Sequence, residues 1–464
     1  MKITVIGTGY LGAVHAAGRA ELGHDVLGVD ADPAKIAALA AGRAPFYEPG
    51  LPELLERGVE SGRLRFSTSL AEAAAFGDVH FVCVGTPQVP GSDRADLQFV
   101  DTVVTELSRH LERPSLIVGK STVPVGTARR LTGLAAAAAR PGLAPDMAWN
   151  PEFLREGFAV ADTLSPDRLV FGVAGVDAEQ TLREVYRLAL DRGTPAFVTD
   201  LETAELVKVA ANSFLATKIS FINSMAEVCE AVGADVRLLA DAIGQDARIG
   251  RRFLDAGVGF GGGCLGKDIR AFRARGVELG VGDALEFLAG VDATNDRRRE
   301  KVVQLAREHL GGNLAGRRVT VLGASFKPDS DDVRDSPALY VARALWDHGA
   351  LVTVHDPAAL ENARLAAPHL GYAADVEAAL RAADLVVLLT EWRDYRELDP
   401  LLLAPLVSSR VVIDGRGALD ADRWNAAGWT VHALGRPVAP AWDVTPIITS
   451  AVADVQSSQE EAVA

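Results

Sequence analysis

Cys264 closes the glycine-rich stretch Val258-Gly259-Phe260-Gly261-Gly262-Gly263-Cys264-Leu265-Gly266-Lys267-Asp268, with a lysine and an aspartate shortly after it. A thiolate is the reactive form of cysteine, and a nearby cation or an array of backbone N–H dipoles lowers its pKa. Lys267 is close enough to supply that cation, and the glycines let backbone N–H groups approach a ligand. Asp268 follows Cys264 by about one helical turn, so it reaches the same atom if the loop enters a helix. The competing reading is a glycine-rich turn around a buried, inert cysteine.

Three other groups have types and spacings suited to chemistry. Lys208 and Asn212 stand four residues apart in an apolar helical pattern, so both face one way. A lysine among alanines and valines needs a partner or a task, unless it snorkels to the surface. In Asn150-Pro151-Glu152-Phe153-Leu154-Arg155-Glu156-Gly157, Pro151 suits a first helical turn. Glu152 and Glu156 then fall on one helix face, where two carboxylates orient a water or share a proton. The plainer alternative is a pair of acids at a helix dipole. Asp246-Ala247-Arg248-Ile249-Gly250-Arg251-Arg252-Phe253 is a compact basic cluster, the best local candidate for neutralising a phosphate or carboxylate.

The elements that must position these groups read as α/β. Ile3–Ile6 is a short β-branched run, the mark of a buried parallel strand. Gly7-Thr8-Gly9-Tyr10-Leu11-Gly12 follows at once, then a helix pattern from about Ala13 to Leu22 and a strand, Val26–Asp30, that ends in an acid. The glycines serve a tight turn, close approach of a pyrophosphate and helix-on-strand packing, with Gly7, Gly9, Tyr10, Leu11 and Gly12 as cofactor contacts. Asp30 stands where a ribose 2′-hydroxyl is held, and its charge repels a 2′-phosphate, which favours NAD over NADP. Lys35 is either an adenosine contact or a solvated helix lysine. Strand patterns at Val79–Val84 and Leu116–Val118 end in small polar residues, which makes Thr86 and Thr122 candidate cofactor contacts. Cys83 reads as core, and His15 and His24 as structural. The loop from Arg43 to Gly50 either covers the cofactor or packs at the surface.

From about Leu201 to Val232 the pattern is helical without proline or glycine, and it reads as the connection between two domains and a dimer core. Strands at Arg318–Gly323, Leu351–Pro357, Leu385–Glu391 and Val411–Arg416 repeat the first order coarsely, with a different first turn that carries Lys327 and Arg334. The fold class expected is therefore α/β, with two Rossmann-like doubly wound parallel-sheet domains joined by a long central helix. The expected division is 1–200 for the cofactor domain and 201–300 for the helical region with the cysteine loop. A second Rossmann-like domain follows at 312–445, and a loose tail at 446–464.

A length of 464 residues fits two or three domains, and 48% hydrophobic residues supply their cores. The net charge of −15 argues against nucleic-acid and anionic-membrane partners. Three widely separated cysteines offer neither a disulfide framework nor paired metal-ligand spacing, so a reducing cytoplasm is the expected compartment and no metal is expected. No signal peptide or membrane-length apolar run is visible.

Taken in order, these motifs resemble the UDP-glucose 6-dehydrogenases, within the nucleotide-sugar dehydrogenases, from Met1 to about Pro440. The stretches that carry the likeness include Gly7 to Gly12, Tyr47-Glu48-Pro49-Gly50-Leu51, Val84-Gly85-Thr86-Pro87 and Ser121-Thr122-Val123-Pro124-Val125-Gly126-Thr127. Asn150 to Gly157, Ala204-Glu205…Lys208…Asn212, Gly259 to Asp268, and Phe326-Lys327-Pro328…Asp332-Val333-Arg334 complete them.

The resemblance implies a four-electron oxidation of a UDP-sugar C6 alcohol by two NAD, with Cys264 holding the aldehyde as a thiohemiacetal and then a thioester. By the same resemblance Lys208 and Asn212 stabilise the oxygen of the intermediates, Asp268 with a water activates hydrolysis, and Glu152 is a second acid that Glu156 supports. Phe153, Leu154 and Arg155 belong to the sugar loop and lean to UDP-glucose. Phe253 to Gly257, and Gly261, match backbone holding the nucleotide sugar. Arg248 matches an arginine reaching a neighbouring subunit's substrate, which implies a homodimer. Lys327 is similar to a substrate contact, and Lys267 and Arg334 to cofactor contacts.

The family loop usually reads Gly-Gly-Ser-Cys-Phe-Pro-Lys-Asp. Here Gly263, Leu265 and Gly266 differ, and losing the proline is expected to loosen the loop ahead of Lys267. Gly417 stands where an asparagine is usual. The rival readings are the same chemistry on GDP-mannose or UDP-N-acetylmannosamine, a two-electron dehydrogenase, and a catalytically idle nucleotide-sensing relative.

Overall fold

The structure, a computed structural model, describes residues 1–437. The expected tail at 446–464 and the end of the last domain lie outside the described residues.

Two sheets organise the chain. The first contains β1 (Lys2–Ile6), β2 (Asp25–Val29), β3 (Leu64–Ser67), β4 (Val79–Val82), β5 (Leu116–Gly119), β6 (Asp146–Trp149), β7 (Leu169–Val173) and β8 (Ala196–Thr199). Their order across the sheet is β3-β2-β1-β4-β5-β6-β7-β8. β1, β4 and β5 lie at its centre, and every residue of β4 and β5 is buried, as an apolar run covered by helices on both faces must be. The pairs are parallel except β6 with β7, which is antiparallel. Cys83 lies one residue past β4 and is buried, and that burial pushes its thiol up to about 12.

The second sheet contains β9 (Arg318–Leu322), β10 (Leu351–His355), β11 (Gly371–Tyr372), β12 (Leu385–Leu388), β13 (Val411–Asp414) and β14 (Thr430–Ala433). Its order is β11-β10-β9-β12-β13-β14, all parallel. That is the order of the first six strands of the first sheet. In both sheets the order reverses beside the first strand, which opens a crevice at the carboxyl ends where ligands bind.

Between the sheets runs the helix Leu201–Val232, 32 residues long. The Asp200 carboxylate caps it by accepting from the Thr203 N–H at 2.7 Å, and Gly233, at φ +76°, ends it in the left-handed region. A buried row through Ala204, Lys208, Asn212 and Ala216 faces inward, so helix spacing alone brings a lysine and an amide to one place. The helices Leu265–Glu278 and Phe287–His309 pack on it.

Candidate active site

The cysteine loop is held from several sides. The Gly257 N–H donates to Asn223 Oδ1 at 2.8 Å, and Asn295 clasps Phe260 by accepting its N–H at 2.7 Å and donating to its carbonyl at 3.0 Å. Arg299 donates to the same carbonyl at 2.9 Å, and Arg416 to the Gly259 carbonyl at 2.9 Å. Gly259 sits at φ +95°, and a Cβ there would fall 2.3 Å from Asn295 Oδ1, so only glycine serves.

The chain then enters the helix Leu265–Glu278 with Cys264 as its N-cap. This places Asp268 one turn on, its N–H bonded to the Cys264 carbonyl at 2.9 Å. Cys264 is exposed, whereas Cys83 and Cys229 are buried.

Two buried pairs face this thiol. Lys208, 6% exposed, forms an ion pair with Glu152 at 2.8 Å and lies 5.6 Å over the Phe153 ring. Asn212 donates to Asp268 Oδ2 at 2.7 Å, while Lys267 meets Asp268 Oδ1 at 2.7 Å. Burial works against the Lys208 charge, but Glu152 and the neighbouring thiol outweigh it and raise its pKa, so it stays an ammonium. Glu152 Oε2 is buried without a hydrogen-bond partner among the described residues, a polar atom left free for a ligand or a water.

Several expectations need correction. Cys264 is reached by solvent but lies deep in protein, and that burial, with the charges of Asp268 and Glu152, pushes its thiol up to about 12. The opposing cation is Lys208. Lys267 turns instead to Asp268 and to Thr86 Oγ1, 3.5 Å away. Residues 151–157 are not helical, so Glu152 and Glu156 do not share a helix face.

The cause is long-range: the Glu48 carboxylate takes the Gly157 and Ala159 N–H groups at 2.7 Å each and starts the next helix only at Ala159. Glu156 turns to the second domain, accepting from Ser330 Oγ at 3.0 Å and lying 3.6 Å from Arg334. The basic cluster is neutralised by acids of its own chain. Arg248, exposed, pairs with Asp246 at 2.6 Å, and Arg251 pairs with Asp241 and Asp255. Ahead of Lys267 the helix begins at Leu265, and Gly266 lets it pack closely on Asp335.

The cofactor turn matches its reading closely. Gly7 is at φ +90°, and a Cβ on Gly12 would fall 1.8 Å from the Gly7 carbonyl oxygen. A Cβ on Gly9 meets nothing within 4 Å, so the turn is open where a pyrophosphate would approach the helix Tyr10–Glu21. Leu11 is half-buried.

Asp30 accepts from the Thr8 N–H at 2.8 Å and from Lys35 at 3.0 Å, so Lys35 bears on the cofactor side through Asp30. Burial opposes the Asp30 charge, but these donors hold its carboxyl below the usual range. Thr86 donates to the Thr122 carbonyl at 2.8 Å, which ties the ends of β4 and β5, and Lys267 links this edge to Asp268. The residues present therefore fit a dinucleotide.

The remaining candidates lie where the domains meet or farther out. Lys327, half-buried, donates to the Glu156 carbonyl. Arg334 is held by Asp332 at 2.6 Å and lies over the cysteine loop, where a Cβ on Gly263 would fall 2.6 Å from its guanidinium carbon. Gly263 thus makes room for Arg334. A Cβ on Gly261 would fall 2.3 Å from the Asp335 carbonyl oxygen, and one on Gly257 2.6 Å from that of Gly415. Both glycines let the loop touch the second domain. Phe253 is exposed at φ +66°, and Arg155 is bound to Asp162 at 2.6 Å beside Leu154 and Phe153.

Glu48, Asn223, Asn295, Arg299 and Arg416 were not foreseen. The available signal was chemical: two asparagines lie within otherwise packed helix faces.

Comparison with known proteins agrees along the chain. Residues 1–190 match the NAD binding domain of the UDP-glucose/GDP-mannose dehydrogenase family, 202–297 its central domain and 320–421 its UDP binding domain. The chain belongs to this family. It is 41% identical over 439 residues to a UDP-glucose 6-dehydrogenase of Rhizobium meliloti, covering 94% of this chain and 100% of that protein. It is 39% identical over 437 residues to UDP-glucose 6-dehydrogenase TuaD of Bacillus subtilis, covering 94% and 93%. A UDP-glucose dehydrogenase structure from Pyrobaculum islandicum superposes with a TM-score of 0.86 at 41% identity, covering 95% of this chain and 98% of that one. Among the described residues, no helix is long and apolar enough to cross a membrane.

Proposed function

We propose that this chain oxidises UDP-glucose to UDP-glucuronate with two NAD, through Cys264. The observation that carries the reading is the exposed thiol set against two buried pairs, Lys208–Glu152 and Asp268–Asn212. The family membership supplies the substrate class. The Gly7–Gly12 turn, with Asp30, Thr86 and Thr122, would hold NAD, which would supply the hydride acceptor.

The C6 alcohol gives up a hydride to the cofactor and its hydroxyl proton to a water held by Asp268, and becomes an aldehyde. The Cys264 sulfur bonds to that carbon, and the thiol proton leaves to a base. With its thiol pushed up to about 12, Cys264 does not enter as a standing thiolate, so a base must act at the moment of attack, and Asp268 is the buried carboxylate one turn away.

The thiohemiacetal oxygen is stabilised by the Lys208 ammonium and the Asn212 amide. Loss of a second hydride leaves a thioester. Water, oriented by Asp268 and by the free Glu152 oxygen, cleaves it to a carboxylate and returns the thiol. Lys327 from the second domain and the 150–157 segment from the first hold the nucleotide sugar between them, with Lys267 and Arg334 beside the cofactor.

The working unit is a homodimer in this reading. Phe214, Phe221 and Val228 recur every seven residues on the long helix and are 66%, 49% and 53% exposed, a stripe of the spacing that packs a helix against a partner. Arg248, which does not turn to the site of its own chain, then points to a neighbouring subunit's. Free cysteines fit a reducing cytoplasm.

The test is NADH formed per UDP-glucose consumed. The wild type gives two, and Cys264→Ser stalls after enzyme-equivalent amounts. One NADH per sugar with an unaffected variant would overturn the thioester route. Turnover of GDP-mannose or UDP-N-acetylmannosamine in place of UDP-glucose would move the substrate and keep the chemistry. NAD binding without any NADH would leave an idle sensor.

A further inference from the structure

Glu48 is 2% exposed, and no step of the reaction uses it. Its carboxylate nevertheless joins three segments. One oxygen accepts the Gly157 N–H at 2.7 Å and the Tyr10 hydroxyl; the other accepts the Ala159 N–H at 2.7 Å and the Val160 N–H at 3.4 Å. The Gly157 N–H also reaches the Tyr10 hydroxyl at 3.0 Å. The Tyr10 ring packs on Phe46, two residues before Glu48 in the chain, with centroids 4.7 Å apart.

A carboxylate that served only as a helix cap would need the N–H groups at Ala159 and Val160 and nothing else. The additional bonds, to Tyr10 and Gly157, connect the two ligand sites. Tyr10 is the first residue of the fingerprint helix and directly follows Gly9, where the turn stands open for a cofactor.

Gly157 ends the segment that begins at Asn150. That segment carries Glu152 against Lys208, Phe153 beneath the Lys208 ammonium, and the Glu156 carbonyl that Lys327 holds. Gly157 also abuts the second domain, since a Cβ there would fall 2.8 Å from the Asp329 carbonyl oxygen. A burial-raised carboxyl with three backbone donors and one hydroxyl donor is satisfied only while all three segments keep their places.

We propose that Glu48 is a positioning residue that fastens Tyr10 of the cofactor turn to the 150–160 segment. NAD and the nucleotide sugar then bind with positive coupling, each favouring the arrangement the other needs. The inference rests on the reading of this segment as part of the sugar site. Coupling of this kind is reciprocal and is measured as the ratio of one ligand's affinity with and without the other.

The test uses NADH and UDP-glucose, a pair that does not react. NADH affinity is measured by its fluorescence with and without saturating UDP-glucose, on full-length wild type, Tyr10→Phe and Glu48→Gln. The wild type is expected to bind NADH about fivefold or more tighter with the sugar present. Tyr10→Phe, which removes one hydroxyl and keeps the ring on Phe46, brings that ratio near one, whatever it does to each affinity alone. Glu48→Gln does the same and raises the KM for UDP-glucose about tenfold.

A wild type without coupling, or a Tyr10→Phe variant with wild-type coupling, overturns the proposal. So does a Glu48→Gln variant that melts earlier but keeps the ratio, which would make Glu48 a structural cap. Failure of the wild type to bind UDP-glucose would instead sink the substrate reading. The same ratio measured with GDP-mannose or UDP-N-acetylmannosamine, whichever binds, then decides the junction.

Discussion

In both α/β domains the chain leaves its first strand through a glycine in the left-handed region, Gly7 at φ +90° and Gly323 at φ +114°. Each glycine N–H bonds to the last residue of the second strand, Val29 at 2.7 Å and His355 at 2.8 Å. The aspartate that follows that strand then takes the next backbone N–H: Asp30 from Thr8 at 2.8 Å, Asp356 from Ala324 at 2.7 Å. The wiring repeats to this point and then diverges.

Asp30 is half-buried and paired with Lys35, and Gly9 stands in open space beyond it. Asp356 is 1% exposed and fully engaged, accepting from both the N–H and the hydroxyl of Ser325, from the Trp392 indole, and from the Ala358 and Ala359 N–H groups. The Trp392 indole and the Ser325 hydroxyl close on Asp356 at the carboxyl end of β10. The same backbone device holds a ligand seat open in one domain and locks a loop in the other, where the following residues, Phe326 to Arg334, extend toward the cysteine. Sheet order alone therefore says little about where a cofactor binds.

The sharpest way to break this comparison is to remove each aspartate. Asp356→Ala strands several buried donors at once and should lower stability by roughly 3–5 kcal/mol, read as a large fall in melting temperature. A melting temperature within a degree or two of wild type would show that this loop is not locked as described.

Asp30→Ala should do the reverse. Its loss falls on the cofactor, with the KM for NAD raised roughly 10- to 100-fold, while stability changes by no more than about 1 kcal/mol. The same variant should gain on NADP relative to NAD, because the charge that repels a 2′-phosphate is gone. Equal cofactor preference before and after would remove Asp30 from the site.

The parts visible in the sequence are those with local causes. β4 and β5 are buried on both faces and so read as unbroken apolar runs; the long helix carries its cap at Asp200 and its stop at Gly233. Helix spacing sets Lys208 and Asn212 on one face, where Lys208 meets Glu152 and Asn212 meets Asp268.

What was hidden has distant causes. Nothing near Pro151 announces that Glu48, more than a hundred residues earlier, will take the N–H groups a helix would need. The run Leu169–Val173 reads the same whichever way the strand points, so its antiparallel pairing with β6 was not legible. The arginines at 248–252 looked like a free positive patch because Asp241, Asp246 and Asp255, which pair with two of them, are also close in the chain and count equally in any local charge reading.

The subtlest difference between the domains lies where they touch. Glu156 belongs to the first and faces Ser330, Asp332 and Arg334 of the second. Burial, reinforced by the Asp332 charge and only partly offset by Arg334, pushes its carboxyl up to about 7. A carboxyl whose pKa is higher folded than unfolded contributes stability that is complete below the unfolded value and is lost as pH rises through 7. Domain contact should therefore weaken between about pH 4.5 and pH 7 and level off above that, with a cost on the order of 1 kcal/mol.

Glu156→Gln keeps the acceptor toward Ser330 without the charge, and should flatten that slope in urea unfolding measured across the interval. Glu205, on the long helix, is also pushed up to about 7 by burial but is bonded to the Gly126 and Ala128 N–H groups of the first domain, and it supplies the slope that remains. A Glu156→Gln variant as pH-sensitive as wild type would place the titration wholly at Glu205, where the long helix meets the first domain, and leave the contact with the second domain insensitive to pH.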